Sequence, residues 1–128
     1  MKREKQQVGK QGEDEACFHL KGLGHSIVAR NWRNAHKEID IVSLDGEGLH
    51  IVEVKSRTAP TAAEPETSVG LSKQRKLAAA ARAFLHSDLC RSLGRPDMEV
   101  FFDIVTVVFD TDGTHIEYYQ QAFIPTYV

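Results

Sequence analysis

The sequence predicts an α/β domain with a mixed central β-sheet of about five strands flanked by helices, in the order α-β-β-β-α-β-β. Three observations carry this. Glu38–Leu44 and Leu49–Lys55 are β-branched runs on either side of Asp45-Gly46-Glu47-Gly48, which reads as an antiparallel hairpin. Its strands are apolar on both faces: Ile39, Ile41, Val52 and Val54 are expected on one, Val42, Leu44, Leu49 and Ile51 on the other. Strands of that kind are central and covered on both sides. Stretches of helical period precede the first strand and separate the third from the fourth. At 128 residues the chain is read as a single domain, 1–128, large enough for a real core.

In chain order, residues from about Gln6 to Lys21 form the first helix, ended by Gly22 and Gly24. Gly12 lies inside it, where glycine lowers helicity by about 1 kcal/mol relative to alanine, and is read as close packing or a frayed turn. His25 to Trp32 is the first strand, and the hairpin supplies the next two. Thr58 to Ser68 carries Pro60 and Pro65 and reads as a mobile loop. Ser72 is the expected N-cap of the second helix, whose buried stripe is Leu77, Ala81, Phe84/Leu85 and Leu89. Arg91 to Pro96 is a turn. Val100 to Phe109 is an apolar strand interrupted by Asp103, which must find a partner and is read as structural, holding a lysine or arginine or orienting a strand end. Asp110-Thr111-Asp112-Gly113 turns the chain into a short last strand, His115 to Tyr119, and Phe123 to Val128 is tail.

The hairpin concentrates the chemistry. With a four-residue loop, Leu44 faces Leu49, Val42 faces Ile51, Asp40 faces Glu53 and Glu38 faces Lys55. Facing residues share a side and side chains alternate, so Asp40, Glu53 and Lys55 point the same way at the end away from the turn. Opposed carboxylates repel, and at the end of a buried strand they are costly unless paired or metal-bound. A hard divalent cation, Mg²⁺ or Mn²⁺, held by Asp40 and Glu53 removes that conflict, and Lys55 adds a point charge beside it. The set suits metal-assisted hydrolysis of a phosphodiester. A hairpin of solvated surface charges is the bland alternative, and the apolar flanks argue against it.

Arg30, Arg33, Lys37, Lys55 and Arg57 cluster near the same end as a local basic zone for phosphate, in a chain whose net charge is only −2. Trp32, the sole tryptophan, is assigned to the core before any base-stacking role. Lys73, Gln74, Arg75 and Lys76 begin the second helix, where cations oppose the dipole unless an anion is near. His50 faces away from Asp40 and Glu53 and receives no role, and Glu13 alone reads as a solvated helix charge. The charged N-terminus and the absence of a long apolar run predict no signal peptide and no membrane partner. Cys17 and Cys90, in predicted helices, are expected to be reduced, partly buried thiols of a cytoplasmic protein.

With these residues in place, the chain resembles the YraN family of small bacterial proteins, which have the restriction-endonuclease-like, PD-(D/E)xK fold. The matching residues are Gly9, Gly12-Glu13, Ala16, Leu20, Gly24, Asn31-Trp32-Arg33, Glu38-Ile39-Asp40, Val52-Glu53-Val54-Lys55 with Arg57, Lys73, Leu77, Leu85 and Phe102-Asp103. The pattern is also similar to that of archaeal Holliday-junction resolvases. The resemblance implies that Asp40, Glu53 and the Val54 carbonyl bind Mg²⁺ or Mn²⁺, and that Lys55 positions the attacking water. It also implies that Glu13 approaches the metal from the first helix and that Gln74 contacts the site. Two positions depart from the family pattern: Lys37 stands in place of a glycine, and Phe101 in place of an arginine. The leading expectation is a metal-dependent endonuclease acting on DNA, branched or structured DNA included. A non-catalytic nucleic-acid-binding accessory and a protein-interaction domain with a structural salt-bridge cluster are the alternatives. A homodimer would set two sites on one branched substrate.

Overall fold

The computed structural model describes residues 5–59 and 69–125. Its elements are α1 (Lys5–Gly22), β1 (Ser26–Asn34), β2 (Lys37–Leu44), β3 (Gly48–Thr58), α2 (Leu71–Leu85), α3 (Asp88–Ser92), β4 (Glu99–Asp110) and β5 (Gly113–Phe123). The strands form one five-stranded mixed sheet in chain order. Only β3 and β4 are parallel, and they are the pair joined through helices, the crossover that a parallel pair requires. The predicted α/β class and element order are therefore observed, with α3 as an addition.

Helices cover both faces. On one, Val8, Ala16, Cys17 and Leu20 of α1 pack with Ile41, Val52, Val105, Val107 and Phe109. On the other, Leu77, Ala80, Ala81 and Phe84 of α2 pack with Ile39, Val42, Leu49, Ile51 and Ile104. Trp32 joins this second core, its ring edge-to-face with Phe84 at 5.3 Å. Cys17 and Cys90 are free thiols and buried. No described helix is long and apolar enough to cross a membrane.

Several boundaries differ from expectation. The second helix begins at Leu71 with Gly70 as N-cap and no side-chain cap, so Ser72 is not the cap. It stops at Leu85, because Ser87 accepts the Cys90 amide and starts α3. Leu89 thereby leaves the buried stripe and is 40% exposed. The last strand runs to Phe123 rather than Tyr119, since it pairs along most of β4. The expected Pro-containing loop lies, from residue 60 to 68, outside the described residues.

Gly12 resolves in favour of close packing. A Cβ there would lie 2.5 Å from Ser56 Cβ on β3, an atom fixed to the strand backbone. Gly12→Val is therefore expected to force α1 away from the sheet and to lower stability by about 2–3 kcal/mol, read as a reduced urea midpoint with unchanged slope.

Candidate functional site

Near the turn the hairpin register is the predicted one: Leu44 pairs with Leu49, Ser43 with His50, Val42 with Ile51 and Ile41 with Val52. The paired register ends there, so the expected Asp40–Glu53 and Glu38–Lys55 strand pairs are not formed. Beyond Ile41 the strand departs from simple alternation. Ile39 packs in the α2-side core with Val42, whereas Ile41 packs in the α1-side core. Ile39 and Ile41 therefore do not share a face, contrary to expectation. The cause is Asp40, whose Oδ2 accepts the Val54 amide at 2.9 Å and occupies the place of a backbone acceptor in the ladder. On β1, Asn31 takes a left-handed conformation with φ 51° at the matching position.

This irregularity brings Asp40 onto Glu53. Burial, hydrogen-bonding contact with Glu53 and the nearby Glu53 charge push the Asp40 carboxyl up to about 7; the Val54 amide and Lys73 oppose the rise. Glu53 sits with its side chain 11% exposed, and its Oε2 is buried without a hydrogen bond among the described residues. The ammonium of Lys73 lies 3.4 Å from that oxygen. Glu13 reaches in from α1: burial and the Asp40 charge raise its pKa, against the hydrogen bond from Asn31 and the charge of Arg30. Asn31 Nδ2 donates to Glu13 Oε1 at 2.9 Å. Glu13 is thus half-buried, not the solvated charge expected from the helix alone. The donor set fits a hard divalent cation, because two largely buried, mutually repelling carboxylates lie together and the Glu53 Oε2 oxygen has an ion-pair contact with Lys73 but no hydrogen bond among the described residues. Among the described residues Glu13 does not close a three-donor group with them, so the side-chain ligands of a cation here would be Asp40 and Glu53.

The basic residues divide. Arg30 donates from Nη2 to Asp14 Oδ1 at 2.7 Å and stands 3.8 Å from Glu13, so it braces the α1 carboxylates. Arg33 is exposed and pairs with Glu38 at 3.6 Å. Lys55 and Arg57 are half-buried on β3, and alternation sets Lys55 on the same side as Glu53. Gln74 donates to the Val69 carbonyl at 2.7 Å and so supports the entry to α2. Lys37, Lys73, Lys76 and His36 line a groove of about 310 Å³ between α2 and the β1–β2 turn, next to Glu53. Lys76, named only among the cations that open α2, and Asn31, named only within the family pattern, receive no site role from the sequence. Asn31, a poor strand former inside a strand, was the available signal.

A second polar cluster lies on the opposite face of β3. His50 is fully buried, with Nδ1 2.7 Å from Asp103 Oδ2 and Nε2 2.8 Å from Asp45 Oδ1. The partners of Asp103 are His50, the Tyr118 hydroxyl and the Gln121 amide, so it holds a histidine rather than the lysine or arginine expected. His50, left without a role on sequence grounds, is central to this network. Among the described residues, His25, Asp45 and His50 form a group able to hold a metal ion, as do the exposed Asp110, Asp112 and His115.

Residues 12–107 match the model of a family described as "Uncharacterised protein family UPF0102". A UPF0102 protein of Bacteroides thetaiotaomicron is 38% identical over 122 residues, 95% of this chain and 96% of the relative. One of Desulforapulum autotrophicum is 39% identical over 123 residues, covering 96% and 98%. One of Chlorobaculum tepidum is 41% identical over 103 residues, covering 80% and 76%.

Proposed function

We propose that this chain, which belongs to the uncharacterised protein family UPF0102, is a metal-dependent nuclease of restriction-endonuclease-like type acting on DNA. One observation carries the reading: Asp40 and Glu53 meet where both are largely buried, so that burial and the Glu53 charge push the Asp40 carboxyl up to about 7 and Glu53 Oε2 is left without a hydrogen bond among the described residues. A bound Mg²⁺ or Mn²⁺ supplies charge neutralisation and Lewis acidity there. Asp40 and Glu53 would hold the ion, with the Val54 carbonyl, as the resemblance implies, as a further oxygen donor. The Val54 amide fixes the Asp40 carboxyl in place, so the pair is preorganised and little is spent on ordering it. Lys55 orients the attacking water and offsets charge building on the phosphate. Glu13 adds a second acid on the α1 side, oriented by Asn31.

The groove beside Glu53 supplies substrate contacts. Lys37, Lys73 and Lys76 line it together with Glu38, whose carboxylate pairs with the exposed Arg33 at 3.6 Å. Cations of this kind neutralise phosphates without reading sequence, which suits recognition of DNA by shape. Lys73 pairs with Glu53 at 3.4 Å, and an ion held on that carboxylate would leave its ammonium available to a phosphate.

The test uses purified full chain, Mn²⁺ and a panel of junction, flap, single-stranded and duplex DNAs. Cleavage of at least one substrate is expected, abolished in Asp40→Ala. Mn²⁺ is also expected to raise the melting temperature, since an ion that binds only the native state stabilises it by mass action. A chain that shows neither cleavage nor a Mn²⁺-dependent shift overturns the reading. Cleavage that survives Asp40→Ala assigns it to another site or another protein.

A further inference from the structure

We propose that His25, Asp45 and His50 form a second metal site, selective for a Zn²⁺-class ion and separate from the Asp40–Glu53 pair. Position separates the two. His50 and Glu53 are three residues apart on β3, roughly 10 Å along the strand, and alternation puts them on opposite faces.

The donor geometry supports it. His50 Nε2 lies 2.8 Å from Asp45 Oδ1, and His25 Nε2 lies 3.5 Å from Asp45 Oδ2. Ligand atoms each about 2.0–2.1 Å from a tetrahedral Zn²⁺ are about 3.3 Å apart, and the 3.5 Å from His25 Nε2 to Asp45 Oδ2 is close to that spacing. All three donors lie within 4.8 Å of one another. Each ligand is also held from behind. His50 Nδ1 is bonded to Asp103 Oδ2 at 2.7 Å, the carboxylate–histidine arrangement that orients metal-binding imidazoles. His25 Nδ1 is 2.9 Å from Ser43 Oγ. Asp45 Oδ1 accepts the amides of Glu47 and Gly48 at 3.0 and 3.2 Å, which leaves Oδ2 facing His25.

Charge and access point the same way. Asp45 and Asp103 bring two carboxylates to a cluster whose other members are imidazoles and the Tyr118 hydroxyl. A divalent ion with neutral imidazoles balances them. The histidines are buried at 6% and 0% exposure, while the Asp45 side chain is 19% exposed and opens one side for a water as fourth ligand. Imidazole donors favour zinc-class ions over Mg²⁺, which prefers oxygen. The competing state is a metal-free network in which protonated His50 bridges the two aspartates.

Chelator-stripped full chain is titrated with Co²⁺ at pH 8 and the visible ligand-field spectrum recorded, followed by Zn²⁺. The expected result is one equivalent per chain of strongly absorbing, four-coordinate Co²⁺, displaced by Zn²⁺ and retained in Asp40→Asn; an ion at the oxygen-lined Asp40–Glu53 pair would absorb only weakly. His25→Asn and Asp45→Asn, each checked for native circular dichroism, are expected to weaken binding at least about tenfold. Wild-type chain that takes up no Co²⁺, binding retained in both variants, or binding lost in Asp40→Asn overturns the site.

Discussion

Asp40→Asn is expected to remove Mn²⁺-dependent cleavage, by on the order of 10²–10³-fold or more, while making the metal-free chain more stable at pH 8. The opposite signs come from one cause. In the folded chain the Asp40 carboxyl titrates at about 7, because burial and Glu53 disfavour its charge. In the unfolded chain it titrates near its ordinary value of about 3.9. Between roughly pH 4 and 7 the folded state holds a proton that the unfolded state has released, so the group's contribution to stability falls as pH rises through that window. Above pH 7 the folded protein carries the full penalty, on the order of 2–4 kcal/mol. Asparagine removes the charge but keeps an oxygen for the Val54 amide, now bonded at 2.9 Å. Thermal melts in chelator across pH 5–9 check this: the wild type is expected to lose stability toward pH 7 relative to Asp40→Asn, then run parallel to it. In Mn²⁺ the wild type alone should recover, and its response should grow with pH up to about 7, because the ion displaces a proton. A variant less stable than wild type at pH 8 without metal would show that the carboxylate is not strained by its neighbours.

The hairpin that carries this site was legible because turn length and period-two patterning fix register, and Leu44↔Leu49 and Val42↔Ile51 pair as read. What failed was the assumption that alternation continues past Ile41. A side chain that substitutes for a backbone acceptor leaves no mark on apolar patterning, so the opposite placement of Ile39 and Ile41 could not be anticipated. The roles of the basic residues were obscured for a different reason. Composition shows that arginines and lysines cluster, but only tertiary contacts show that Arg30 serves Asp14 and Glu13 while Lys73 serves Glu53. The His50–Asp103 pair joins positions 53 apart in sequence. A partial signal was present nonetheless: a histidine and an aspartate each sit inside an apolar central strand, where a polar side chain must find a buried partner.

Asp103→Ala is expected to be the most destabilising single change in the chain, lowering metal-free stability by about 3–5 kcal/mol. Asp103 has no exposed surface. It lies where the β4–β5 register shifts, between the pairs Phe102↔Phe123 and Ile104↔Tyr119. Its Oδ1 accepts the Gln121 amide at 2.9 Å, from a residue held at φ 53°. Its Oδ2 takes both His50 Nδ1 and the Tyr118 hydroxyl. Truncation leaves a buried imidazole, a half-buried phenol and a backbone amide without their shared acceptor, and such groups are costly to strand. Asp103 thus does for β4 and β5 what Asp40 does for β2 and β3: a carboxylate completes a ladder where backbone pairing is interrupted. The difference is in what surrounds it. Asp40 meets another carboxylate and is left in need of a cation, whereas Asp103 meets donors on every side. Tyr118→Phe separates the contributions, since it deletes one donor and leaves the His50 and Gln121 contacts; a loss of only about 1 kcal/mol is expected. Urea unfolding of both variants in chelator decides the matter. If Asp103→Ala proved as mild as Tyr118→Phe, the buried network would not be what fixes the β4–β5 edge, and apolar packing alone would have to account for it.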